Sequence, residues 1–298
     1  MKQRKSVARF AAAALILGSA LAAAAGPALA GENSTRLSVA YYLATGDYGL
    51  DTDTDTEYVP VSLDYYQGPW SFNLTVPYVR ISGFGTVTMG PSGPIQVSHT
   101  PGGGMFGASG AGSSPMGRRT TATTTTTTSS TSTLTKVTES GLGDVTAAVG
   151  YSFLPAAADG LLIEVNGRVK FPTADENKGL GTGEFDYSAQ VDLSKPFGAL
   201  TPFVTAGYTI TGDSDRIDYN NVFYSSIGAT YSLTDAVSVK ASYDYRQKAT
   251  DDADNAEEAS VSLSWLMNDT WSATVSGSTG FTNASPDWSG GLEVAMSF

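Results

Sequence analysis

The sequence predicts an all-β protein, a single transmembrane antiparallel up-and-down β-barrel of about 12 strands with short periplasmic turns and long extracellular loops. Three observations predict it. Apolar and polar residues alternate with a period of two along most of the chain. The connections between the alternating runs are long and short by turns. An export leader opens the chain.

The leader comes first. Lys2, Arg4, Lys5 and Arg9 make a basic head, Phe10 to Ala25 an alanine-rich apolar stretch, and Ala28-Leu29-Ala30 a small-residue close. This is the pattern of a secretory signal peptide over residues 1–30, cleaved after Ala30, leaving 31–298 as the barrel. The chain has no cysteine, so disulfide, thiolate-metal and cysteine-nucleophile chemistry are excluded. The formal net charge is −12, which argues against a nucleic-acid partner.

Twelve alternating runs follow. The first carries Leu37, Val39, Tyr41 and Leu43, the second Val59 to Tyr65, and the third Trp70, Phe72, Leu74, Val76 and Tyr78. Runs starting at Val145, Leu161, Phe185, Pro202, Phe223, Val237, Ala259, Trp271 and Trp288 complete the set. Each is about the ten residues that cross a bilayer at a tilt. The odd connections are long and polar: 46–56, 82–141, 172–183, 212–220, 249–257 and 281–287. The even ones are shorter, as at Gln67-Gly68-Pro69 and Asn268-Asp269. A barrel inserted from one side sorts its loops in this way, whereas a soluble sandwich has no reason to.

The apolar faces carry almost no charge, Arg80 being the exception, and they are rich in Tyr, Trp and Phe. The alternate faces are polar. One hairpin places Glu164, Arg168 and Lys170 beside Asp186, Gln190 and Asp192; another strand carries Lys240, Asp244 and Arg246. Opposite charges on neighbouring strands lie within pairing distance. These residues are read as lumen-lining, either an ion-pair network that props the wall or a constriction that filters solutes. Tyr42, Tyr66, Phe203 and Tyr224 share the polar-face parity and are the aromatic lumen candidates.

Residues 83–140 break the pattern, with a Gly/Pro/Ser-rich stretch and then a Thr/Ser tract. Such a composition buries too little apolar area to offset its ordering entropy. It is expected to form a low-complexity extracellular loop, either a variable surface segment or a lid over the mouth. His99, the single histidine, lies inside it, a poor base for hydrolytic catalysis, which needs rigid positioning. The run Asp51-Thr-Asp53-Thr-Asp55-Thr-Glu57 suggests a calcium loop but lacks its glycine and closing Glu. It reads as an acidic outer loop, as does the run from Asp251 to Glu258. No enzyme activity, cofactor or metal is expected.

Three stretches resemble a known family. They are Gly141-Leu-Gly-Asp-Val145; Phe171-Pro-Thr173 with Gly179-Leu-Gly-Thr-Gly183; and Leu200-Thr-Pro-Phe203 with Gly207-Tyr208. They are similar to the outer-membrane proteins grouped as the meta-pathway of phenol degradation, transporter-like, family. The resemblance spans roughly residues 141–298. It implies a small outer-membrane barrel and, beyond that, uptake of aromatic or other hydrophobic compounds. The motif residues fix turns, and none is chemically reactive.

The function expected is therefore an outer-membrane channel for small solutes. The alternatives are a structural or surface-interaction barrel with a plugged lumen and, third, a hydrolase. Expected partners are outer-membrane lipid and lipopolysaccharide, the barrel assembly machinery and a small-molecule solute. Trp288, Leu292, Val294, Met296 and Phe298 alternate on the closing strand and are read as the assembly signal.

Overall fold

The computed structural model describes residues 33–49, 52–83, 87–90, 93–96, 136–154, 160–214 and 217–298. The leader, His99 and most of 83–140 lie outside them.

The described strands are β1 (Ser34–Gly46), β2 (Thr54–Gln67), β3 (Trp70–Gly83), β4 (Val87–Gly90), β5 (Gly93–Gln96), β6 (Val137–Leu142), β7 (Val145–Phe153), β8 (Leu162–Phe171), β9 (Asp186–Ser194), β10 (Leu200–Ile210), β11 (Val222–Ser232), β12 (Val237–Arg246), β13 (Ala256–Leu266), β14 (Trp271–Gly280) and β15 (Trp288–Ser297). All but the β4–β5 hairpin join one antiparallel sheet, in which each strand pairs with its neighbours in sequence. β6 and β7 both pair with β3 and act as one wall strand, so the wall has twelve strands. β1 pairs with β15, which closes the barrel and removes the sheet edges.

The closing register runs from Arg36 opposite Ser297 to Thr45 opposite Trp288. It is locked at its end by reciprocal bonds between Thr35 and Phe298: Thr35 N–H donates to the Phe298 carbonyl at 2.8 Å, and Phe298 N–H to that of Thr35 at 2.9 Å. The start of β1 and the end of β15 therefore lie at the same end of the barrel, which also carries the tight turns, such as Gly68 with its positive φ of 58°. The longer connections lie at the other end. This is the predicted loop parity.

The outer face shows why the period is two. Its middle is aliphatic, with Val39, Val61, Leu74, Val165, Val204 and Val261 exposed. Aromatic residues bound that band. Trp70, Phe153, Tyr231, Trp265 and Trp271 ring the terminal end, and Tyr41, Tyr78, Tyr187, Tyr208 and Trp288 ring the loop end. Amphipathic rings suit the headgroup layer on each side of a hydrocarbon core. Neighbouring rings also support one another, as Trp70 and Tyr151 do in a T-shaped contact with centroids 4.7 Å apart.

The structure revises some loop boundaries. Asp55 and Glu57 stand in β2, where Asp55 accepts from Lys136 Nζ at 2.8 Å and from Thr45 Oγ1 at 2.9 Å. The calcium-like run is thus half strand. Arg80 is directly opposite Glu57 and paired with it at 2.5 Å, so the outer face ends in an ion pair and not in a lone cation. Glu257 and Glu258 belong to β13, and Glu258 is buried inside. Val137 to Ser140 pair with β3 and extend the wall, so they are not part of the low-complexity loop.

Candidate lumen site

The inner face is built from the alternate positions of the same strands, and its charged residues gather into clusters. On β8 and β9 the register sets Lys170 opposite Asp186 and Glu164 opposite Asp192. Lys170 Nζ lies 2.8 Å from Asp186 and 3.1 Å from Asp144, and it donates to Thr182 Oγ1 at 2.6 Å. The Glu164–Asp192 pairing is not the expected opposite-charge match. Two carboxylates face one another, and Asp192 is satisfied by neutral donors: Asn166 at 3.0 Å, Gln190 at 2.7 Å and Thr205 at 2.6 Å.

The Lys170 cluster explains the sequence motifs. Between Thr75 opposite Thr146 and Tyr78 opposite Leu142 the partner strand holds one extra residue, a β-bulge at Gly143-Asp144. A Cβ on Gly143 would come within 2.8 Å of Val79. The bulge turns Asp144 inward to Lys170. Thr173 from the Phe-Pro-Thr stretch closes the gap: its hydroxyl donates to the Gly143 carbonyl at 3.0 Å and accepts from Val145 N–H at 2.9 Å. Ala174 N–H donates to Asp144 at 3.0 Å. From the following glycine-rich stretch, Leu180 packs on inward-facing Val79 and Ile81. The motif stretches at 141–145 and 171–183 are thus two halves of one device at the loop end of the lumen.

A second cluster stands at the terminal end. Arg36 on β1 contacts Glu293 on β15 and lies 3.5 Å from Asp64 on β2. Asp64 also accepts from Asn73 at 2.7 Å. A third set lies on β12 and β13. Lys240 Nζ sits 4.5 Å from the centroid of the Phe203 ring, a cation–π contact, within electrostatic range of Asp244 and Asp192. Asp244 accepts from Ser242 at 2.9 Å. Glu258 stands directly opposite Asp244 and interacts electrostatically with Arg246, diagonal to it. In these clusters and at Arg168, five basic side chains (Arg36, Arg168, Lys170, Lys240, Arg246) meet eight carboxylates (Asp64, Asp144, Glu164, Asp186, Asp192, Asp244, Glu258, Glu293).

Arg168 occupies the middle. It rises from β8 and interacts electrostatically with Tyr58 on β2 and Tyr224 on β11, each three wall strands away on opposite sides. It thus extends into the bore between facing walls. Tyr224 donates to Gln190 at 3.1 Å. Tyr42 stands directly opposite Tyr58 and is buried with Ala40 and Ala44. Tyr66 lies near Arg36, Asp64 and Glu164.

The predicted lumen residues Glu164, Arg168, Lys170, Asp186, Gln190, Asp192, Lys240, Asp244, Arg246, Tyr42, Tyr66, Phe203 and Tyr224 all fall on the inner face. Trp288, Leu292, Val294 and Phe298 are exposed on the outer face, with Met296 on the same parity. The inner residues that sequence reasoning passed over are Arg36, Tyr58, Asp64 and Asp144, along with Glu258. The even-numbered parity of β1 and β2 carries a signal for Arg36, Tyr58 and Asp64. Asp144 continues the inner parity of Thr146 and Ala148 on β7, but its glycine-flanked motif reads as a turn.

At the loop end Tyr48 is buried near Arg246, Glu258 and Asp287 and has a left-handed φ of 48°. Burial raises its hydroxyl above the ordinary tyrosine value, the most strongly of its influences, with Glu258 adding to the shift and Arg246 opposing it.

This wall and lumen define the class: a closed twelve-stranded antiparallel barrel with a girdled apolar exterior and a charged interior. The chain belongs to the family described as "Putative MetA-pathway of phenol degradation", whose model matches residues 75–298. In fold it is similar to an outer membrane channel from Pseudomonas putida F1, at 12% identity and a TM-score of 0.64, with 100% of each chain covered. A KdgM porin is similar at 9% identity and a TM-score of 0.47, covering 88% of this chain and 99% of that one. No curated protein matches the sequence significantly.

Proposed function

We propose that the protein is a diffusion channel in the outer membrane of a Gram-negative bacterium, admitting small solutes, aromatic compounds among them. One observation carries the proposal. The inner face is polar and charged from the Arg36 cluster at one end to the Lys170 cluster at the other. A polar, charged inner face running the length of the barrel is what a water-lined solute path requires. In this reading Arg168 is the filter, reaching across the bore between Tyr58 and Tyr224. The rings of Tyr42, Tyr58 and Tyr224 supply apolar contact for planar solutes.

The same proposal covers delivery. The leader over residues 1–30 exports the chain, the barrel assembly machinery reads the strand ending at Phe298, and lipid and lipopolysaccharide surround the girdles. A tail appended after Phe298 is expected to impair insertion. Liposome swelling tests the channel: vesicles holding the purified barrel should swell in small neutral solutes faster than empty vesicles. Swelling equal to that of empty vesicles would refute it.

A plugged barrel is the second reading, and one observation favours it. Tyr42, Lys240 and Arg246 keep only 5%, 7% and 7% of their surface exposed, so the lumen is crowded. Function would then rest in the outer loops. Deleting residues 97–135 separates the two readings. A channel keeps or gains solute flux, whereas a loop-driven barrel loses its surface binding.

A further inference from the structure

We propose that Gly207 and Gly291 set the bore of the lumen by letting two tyrosine rings lie back against the wall. This rests on the channel reading.

Both glycines occupy inward-facing positions. Gly207 lies between Thr205 and Thr209 on β10, and Gly291 between Ser289 and Glu293 on β15; Thr205, Thr209 and Glu293 are buried inside. Small polar residues fill many such positions, as Ser262, Ser264 and Thr274 do. Neither glycine has the positive φ that would call for glycine on backbone grounds. The reason is space. Gly207 is directly opposite Tyr224, and Gly291 directly opposite Tyr42. A Cβ on Gly207 would fall 2.3 Å from the Tyr224 ring, and one on Gly291 would fall 2.0 Å from the Tyr42 ring. Each ring therefore lies across its neighbouring strand in room that only a missing side chain leaves. Gly167 on the outer face supplies a contrast, since a Cβ there would meet nothing within 4 Å.

The consequence follows from the geometry of the wall. A ring that cannot lie on the adjacent strand has the backbone behind it and the bore in front, so it must swing inward. The atoms that block a Cβ at these positions are side-chain ring atoms, which move without breaking the strand ladder. At Gly228, opposite Phe203, the nearest atom to such a Cβ is the backbone carbonyl oxygen of Ala241, at 2.3 Å, so substitution there would disturb the sheet itself. At Gly207 and Gly291, then, one methyl group displaces a tyrosine ring into the lumen and leaves the wall intact. Tyr224 would also lose its bond to Gln190, beside the path of Arg168.

The test is a pair of double-mutant cycles read by single-channel conductance in planar bilayers, with folding checked by heat-modifiable gel migration. Gly207→Ala should lower conductance on the order of two-fold, because small barrels leave little spare width. Tyr224→Ala should raise it, and adding Gly207→Ala to Tyr224→Ala should cost nothing. Gly291→Ala with Tyr42→Ala forms a second, independent cycle if either member of the first fails to fold. A conducting parent whose glycine variants conduct unchanged would overturn the bore assignment alone. So would a loss that persists once the tyrosine is gone. A folded parent that conducts nothing overturns the channel reading, and the bore with it.

Discussion

Arg36 on β1 grips Glu293 on β15 from inside the barrel, across the seam where the first and last strands meet. The same guanidinium lies 3.5 Å from Asp64 on β2, so one cation ties three consecutive wall strands. Both carboxylates are buried. Removing the cation leaves two buried negative charges without a counter-ion. Arg36→Met should destabilise the barrel by about 3–5 kcal/mol. Urea unfolding of the refolded barrel measures this, and Glu293→Gln should cost less because Asp64 keeps its partner.

Lys170 organises the loop end in the same way, holding Asp144 and Asp186 while donating to Thr182. Lys170→Met should therefore release the 172–185 connection while leaving the strands paired. Limited proteolysis should cut the variant near Lys178, with the parent resistant and both giving the same far-ultraviolet circular dichroism.

How much of this was legible in the sequence follows from these two clusters. The barrel was readable because period-two alternation and loop parity are local signals that recur along the chain. The inner residues of the β8–β9 hairpin were readable too, because a hairpin fixes which residues face each other. For Arg36 only the parity of β1 speaks, since it precedes the first apolar alternation and its partner Glu293 lies 257 residues away. The motif glycines and threonines read as turn formers. Their joint work at the Gly143-Asp144 bulge depends on a contact across 30 residues between Thr173 and Gly143. Glu258 read as loop because acidic residues precede it, yet in the folded chain it pairs across from Asp244, within electrostatic range of Arg246.

Tyr48 offers a test of opposite sign. Its hydroxyl is buried with no hydrogen-bond partner among the described residues. A buried hydroxyl without a partner costs about 1–3 kcal/mol, so Tyr48→Phe should raise the melting temperature. The pH dependence has a definite direction. A tyrosine whose folded pKa is raised contributes stability below its unfolded value of about 10, and loses it as pH climbs through the folded value. The parent's alkaline unfolding should soften when the phenol is gone.

In the proposed channel, the charge of the lumen sets which ions pass. Its named clusters hold eight carboxylates against five basic groups, and Glu164 faces Asp192 with no cation between them in the register. An excess of one sign along a narrow path concentrates counter-ions. A potassium chloride gradient across a bilayer should give a zero-current potential of cation-selective sign. The double substitution Glu164→Gln with Asp192→Asn should move it toward zero.

The central claim is that a solute path runs the length of this barrel past Arg168. Single-channel recording of the purified, folded protein in planar bilayers tests it most directly. The account predicts discrete conductance steps that grow when Arg168 is replaced by Ala. A folded barrel that inserts yet gives no conductance, with or without Arg168, would contradict it.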